Sequence, residues 1–99
     1  MATKGAIKEW TGTKLKEPKL YQVIMLNDVF TSMEFVVEIL IDIFHKDPAT
    51  AETLMLYVHE NGRAVVGKYP YDIALTKIEQ ATDRARAQGY PFRLTMEEE

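Results

Sequence analysis

Leu20–Phe44, LYQVIMLNDVFTSMEFVVEILIDIF, decides the fold. Its opening, Leu20 to Leu26, is apolar enough to read as a strand covered on one face and partly on the other. Asn27 to Phe30 breaks that run with a polar corner, and a helix follows from about Ser32 to Phe44. Thr31 and Glu34 have the T-x-x-E spacing of a capping box, which marks the helix start. Glu34, Glu38 and Asp42 recur every fourth residue and form the only solvent stripe of this helix. Phe35, Val36, Val37, Ile39, Leu40, Ile43 and Phe44 then need cover on more than one side, so this is the central helix of the domain. Polar groups at the strand-to-helix corner, with Met33 and Val36 just inside the helix, suit a small group that is charged at one end and apolar at the other.

The rest of the chain extends the pattern. Asp47-Pro48 opens a second helix, with Asp as N-cap and Pro at the first helical position. Ala51, Leu54, Met55 and Val58 give it a core face, and Asn61-Gly62 stops it where glycine takes a left-handed conformation. Arg63 to Tyr69 reads as a second strand. A third helix starts near Pro70 and ends before Gly89, with Ala74, Ile78, Ala81 and Ala85 as a narrow stripe that permits close packing. Phe92 to Met96 is a short third strand, and Glu97 to Glu99 is expected to fray. The order β-α-α-β-α-β predicts an α+β domain, a three-stranded antiparallel sheet with three helices on one face.

Composition limits the function classes. A chain of 99 residues, 46% hydrophobic and 27% charged, fits one small globular domain. It has no cysteine, which excludes disulfides and thiolate chemistry. Two histidines without metal-ligand spacing make a metal site or metal cofactor unexpected. The longest nearly apolar run, Met33 to Phe44, is too short and too charged to span a bilayer, and the N-terminus lacks the apolar run of a signal peptide. A soluble cytoplasmic protein, monomeric and without a membrane partner, is the expectation.

The net charge of -3 hides an asymmetry. Residues 1–19 hold Lys4, Lys8, Lys14, Lys16 and Lys19 against Glu9 and Glu17, whereas the remainder holds seven basic and thirteen acidic residues. A flexible basic arm over residues 1–19 therefore precedes a core domain over residues 20–99. The acidic body argues against a nucleic-acid partner, which demands a basic face.

Asn27, Asp28 and His59, set among apolar residues, are the candidates for chemistry. His59 and Asp28 have the types of a base and its orienter, yet the available hydroxyls, Thr31 and Ser32, belong to the helix cap, so no nucleophile remains. Taken singly, each residue also has an ordinary structural role. Asn27-Asp28 suits a turn, His59 a half-buried helix position, and Met33 and Met55 irregular core gaps.

Taken together they resemble a known family. LNDVFTSMEFVVEIL is similar to the V/L-N-D-D-Y-T-P-M-E-F-V segment of ClpS, the bacterial adaptor of the N-degron pathway. ATAETLMLYVHENGRAVVGKYPYDIALTKIEQA resembles the family's A-x-x-x-M-x-x-V-H-x-x-G…G-x-(Y/F)-x-x-(E/D)-x-A-x-T-K pattern, and PFRLTME resembles its P-L-x-x-T-x-E ending. The likeness runs in order over about residues 20–97.

The resemblance implies an adaptor rather than an enzyme. Such a protein binds substrates that begin with Leu, Phe, Tyr or Trp and delivers them to the AAA+ unfoldase ClpA or ClpC for degradation by ClpP. On this expectation Asn27, Asp28 and His59 meet the substrate's α-amino group. Met25, Thr31, Met33, Val36, Met55, Val58 and Phe92 line the pocket for its first side chain, with Met33 as a gate against β-branched residues. Asp72 and Lys77 match positions that face the unfoldase, and the basic arm matches the segment used in hand-off.

Several positions depart from the family pattern. Val29 stands for the second Asp of N-D-D, Ser32 for the usual Pro, Phe92 for a usual Leu, and Leu75 for a frequent Glu. Val29 motivates an alternative, a related unfoldase-docking modulator with weakened or altered degron specificity. A ribosome-associated domain of similar topology would carry a lysine-rich helix face, whereas the third helix here mixes Asp72, Lys77, Glu79, Asp83, Arg84 and Arg86.

Overall fold

Strand β1, Leu20–Leu26, lies at the centre of the sheet, and this explains why it is the most apolar strand of the chain. In a computed structural model, which describes residues 18–99, the order of elements is β1, α1 (Met33–Asp42), α2 (Pro48–Asn61), β2 (Arg63–Pro70), α3 (Tyr71–Ala87) and β3 (Arg93–Glu98). The sheet runs β2-β1-β3, with both neighbours antiparallel to β1. This is the α+β arrangement expected from the sequence. Of the basic arm, only residues 18 and 19 fall within the described range.

Alternation divides the sheet into two faces. Val23 and Met25 enter one core with Ala64 and Val66 of β2, Leu94 of β3 and the buried residues of all three helices. Ile24 faces the other way and is still only 1% exposed. Arg63 on β2, opposite Leu26, and Glu97 on β3, opposite Gln22, reach toward each other diagonally across it, 3.9 Å apart. Their long stems roof the central strand where no helix does.

A bulge between Val23 and Ile24 inserts one extra residue, Val66, into β2, and its side chain is still buried in the core. Beyond it the Tyr69 ring crosses Gly67 so closely that a Cβ there would lie 2.5 Å from the tyrosine oxygen. Only glycine fits under that ring.

The start of α1 differs from the capping box expected. Ser32, not Thr31, is the N-cap, and its Oγ accepts from the Phe35 amide at 3.1 Å. Thr31 is drawn one residue back, where its hydroxyl donates to the Asp28 carboxylate at 2.7 Å. A carboxylate is a stronger acceptor than the orphan amides are donors, so the threonine serves the loop and the serine serves the helix.

The far end of α1 is closed by α3. The Lys77 ammonium donates to the Ile43 carbonyl at 2.7 Å and sits 5.9 Å from the Phe44 ring centre and 5.2 Å from that of Tyr69. It satisfies a last-turn carbonyl and complements the negative end of the helix. The α2 signals act as read. Asp47 accepts from the Thr50 amide and hydroxyl, and Gly62 ends the helix with φ 89°. Ala74, Ala81 and Ala85 of α3 are fully buried, as their stripe implied.

The C-terminal glutamates do not fray. Glu97 and Glu98 pair with Gln22 and Tyr21 in the sheet, and the Glu99 amide donates to the Leu20 carbonyl at 2.9 Å. Lys19, Arg63 and Lys68 each meet one of the three carboxylates. Exposed ion pairs contribute little by themselves. The strand persists because each residue added also closes ladder hydrogen bonds against β1.

Candidate functional site

Two chain reversals bring the site together. β1 ends at Leu26, and the next amide, of Asn27, donates to the Gly62 carbonyl at 2.9 Å. Gly62 is the left-handed cap of α2, and His59 lies one turn before it. The bond therefore ties the corner after β1 to the C-terminal turn of α2, and Asn27 and His59 come to border one cavity.

That cavity measures ≈ 220 Å³ and is lined by Asn27, Asp28, Val29, Thr31, Met33, Val36, Met55, Val58 and His59. It is smaller than most drug-sized sites and suits one large side chain with its attached polar group. The polar residues come from the corner and the end of α2, and the apolar ones from α1, the adjoining turns of α2 and, at Val29, the corner itself.

The corner itself is pinned by Asp28. One carboxylate oxygen accepts from the amides of Phe30 at 2.8 Å and Thr31 at 2.7 Å, and the other accepts from the Thr31 hydroxyl. Partial burial pushes its pKa up, but these hydrogen bonds outweigh it and hold the carboxyl below the ordinary carboxylate value. Asp28 is thus ionised at neutral pH, borders the cavity, and keeps one acceptor site on the oxygen that takes only the Thr31 hydroxyl. Val29, next in the turn, borders the opening and is 87% exposed.

Eight of the pocket and amine residues expected from the sequence line this cavity: Asn27, Asp28, Thr31, Met33, Val36, Met55, Val58 and His59. Two do not. Met25 is wholly buried between Ala64 and Leu94, and Phe92 packs edge-on against Phe35 with ring centres 5.8 Å apart. Both belong to the core. Asp72 lies in the first turn of α3, beside half-exposed Tyr71 and Ile73, and Lys77 is engaged with Ile43 as described.

A support the sequence reading missed comes from Tyr90. Its hydroxyl donates to Ser32 Oγ at 3.2 Å, and its ring lies 5.0 Å from that of Phe35. Phe35, Tyr90 and Phe92 together brace the first turn of α1, which carries Met33 and Val36 to the cavity. Aromatics on either side of Pro91 were the only hint in the sequence.

The base and orienter considered from the sequence are not joined. Among the described residues no hydrogen bond joins Asp28 to His59, the Thr31 hydroxyl is spent on Asp28, and the Ser32 hydroxyl on the Phe35 amide. Nor do any three His, Asp or Glu side chains of the described residues gather as a metal site would require. No helix among them is long and apolar enough to cross a membrane.

The comparisons with known proteins agree with this architecture. Residues 16–95 match the family model described as ATP-dependent Clp protease adaptor protein ClpS. The chain belongs to the ClpS family. Clp protease adapter proteins named ClpS are 52% identical over 85 residues in Clostridium acetobutylicum, covering 86% of this chain and 84% of that one, and 48% identical over the full length of both chains in Acetivibrio thermocellus. Among solved structures, Agrobacterium tumefaciens ClpS2 bound to L-phenylalaninamide is 41% identical, with a TM-score of 0.80 over 84% of this chain and all of that one. ClpS proteins are adaptors of the Clp protease.

Proposed function

We propose that this adaptor binds the first residue of N-degron substrates, reading a free α-amino group and a large side chain of Leu, Phe, Tyr or Trp together. The observation that carries this reading is the cavity itself, with Met33, Val36, Met55 and Val58 beside Asn27, Asp28 and His59. The ligand of the Agrobacterium relative, L-phenylalaninamide, has that combination: a free amine, an aromatic side chain and no carboxylate.

An α-ammonium, with a pKa near ~8, offers three N–H donors at neutral pH. The Asn27 carbonyl oxygen, a neutral His59 nitrogen and the Asp28 carboxylate are acceptors of the right kind. Each charge-assisted hydrogen bond contributes about 1.5–3 kcal/mol, and burial of a Leu or Phe side chain a similar amount. After the cost of association, this supports affinities around the micromolar range. An internal peptide bond has no ammonium and would leave these acceptors unmatched. Met25 and Phe92 contribute from behind, by fixing the sheet and the α1 turn that bear the cavity.

Delivery to ClpA or ClpC, with degradation by ClpP, completes the proposal. The exposed start of α3, with Asp72 between Tyr71 and Ile73, supports a docking role there, and the basic arm of residues 1–19 supports hand-off. Val29 favours a second reading, a docking modulator with weaker degron binding, because its apolar side chain brings no acceptor to the opening. A panel of peptides differing only in first residue separates the two. Tight binding of Leu, Phe, Tyr and Trp over Ser, Glu and Ile supports the first reading. Uniformly weak binding, with the unfoldase still captured, supports the second.

A further inference from the structure

We propose that Val29 forms an apolar subsite for the second residue of the bound chain, so that this protein favours an apolar residue there over a polar or acidic one. The inference rests on the first-residue reading above and deepens it. A chain whose first side chain fills the cavity, with its ammonium among Asn27, Asp28 and His59, must leave across the opening. Its second Cα lies ~3.8 Å from the first. In an extended chain the second side chain points opposite to the first, away from the hole and out over its rim.

The rim at that point is apolar and fixed. Val29 borders the cavity with 87% of its surface exposed, and Phe30 beside it is 75% exposed. Single exposed apolar residues are common on any protein surface. This pair is unusual because it stands on a turn held by three hydrogen bonds to the Asp28 carboxylate. A fixed apolar surface loses little conformational freedom when it is covered. Asp28, ionised and next to Val29, is the only carboxylate among the described residues that lines the cavity, and it repels a second-position Asp or Glu.

The test measures affinities of otherwise identical peptides beginning Phe-Val, Phe-Ser and Phe-Asp, against the wild-type protein and the Val29→Ser variant. In the wild type, Phe-Val should bind about five-fold tighter than Phe-Ser, the effect of covering roughly 40 Å² of apolar surface, and Phe-Asp should bind weakest. In Val29→Ser the Phe-Val to Phe-Ser ratio should fall below about two-fold on the same scale. Equal wild-type affinities for Phe-Val and Phe-Ser, or an undiminished ratio in the variant, would overturn the subsite and leave the first-residue reading intact. Failure of every Phe-initiated peptide to bind would overturn both.

Discussion

The Asn27 amide donates to the Gly62 carbonyl at 2.9 Å, and this bond joins the two halves of the site. The polar corner after β1 and the last turn of α2 are 35 residues apart in Asn27 and Gly62, yet they share one backbone contact. Gly62 can accept there because its φ of 89° turns the chain out of α2. Gly62→Ala should therefore destabilise the fold by about 1–2 kcal/mol through left-handed strain. It should also weaken peptide binding, because the corner loses its anchor. Chemical denaturation and peptide titration on the same variant check both, and an unmoved unfolding midpoint would remove Gly62 from this role.

Acid should loosen the corner. The Asp28 carboxyl has a folded pKa below its unfolded value of about 3.8. A depressed carboxylate contributes stability that is present above the unfolded pKa and is lost as pH falls through the folded one. Asp47, held low by the Thr50 hydroxyl and amide, acts in the same direction. Stability should thus be flat near neutrality and decline below about pH 4, in proportion to the shift of each group. Asp28→Asn should be less stable at neutral pH and show a shallower acid decline; an identical pH profile in the variant would show that the carboxylate does not hold the turn.

Lys77 should act mainly as a structural cation. Its hydrogen bond to Ile43 and its place over Phe44 and Tyr69 predict that Lys77→Met lowers stability by about 1–2 kcal/mol. The denaturant dependence should be unchanged, and Phe-initiated peptides should still bind. A variant with wild-type stability and impaired unfoldase binding would instead place Lys77 in the docking surface.

On the proposed reading Met33 acts as the gate. It lines the cavity from the first residue of α1 and is nearly half exposed. Met33→Ala should widen the opening and admit peptides that begin with Ile or Val, with only a modest change for Phe. Selectivity across a peptide panel reports this, and an unaltered Phe-to-Val ratio would remove Met33 from the gate.

Much of the fold was legible because several signals agreed at each element. The Leu20–Leu26 run, the acidic stripe of α1, the Asp47-Pro48 start and the Gly62 stop of α2, and the alanine stripe of α3 all lie where the pattern placed them. The α1 cap was misread by one residue, since Thr31 and Ser32 are both good caps and only the Asp28 carboxylate decides between them. The Glu97–Glu99 tail was read as frayed because its charge is visible in the sequence, whereas its strand partners, Gln22, Tyr21 and Leu20, are more than 70 residues away. Helical spacing marked Met55 and Val58 only as core, and it was the family resemblance that placed Met33, Val36, Met55 and Val58 around a pocket. It placed Met25 and Phe92 there as well, because an apolar residue behind a wall and one on its surface look alike in a sequence.

Calorimetry with L-phenylalaninamide and its N-acetylated form tests the central claim most directly. The two molecules share a side chain and differ in the charged amine, which Asn27, Asp28 and His59 are proposed to receive. The free amine should bind, and acetylation should abolish binding, since several charge-assisted hydrogen bonds of about 1.5–3 kcal/mol each are lost. Equal affinity for the two forms would contradict the account.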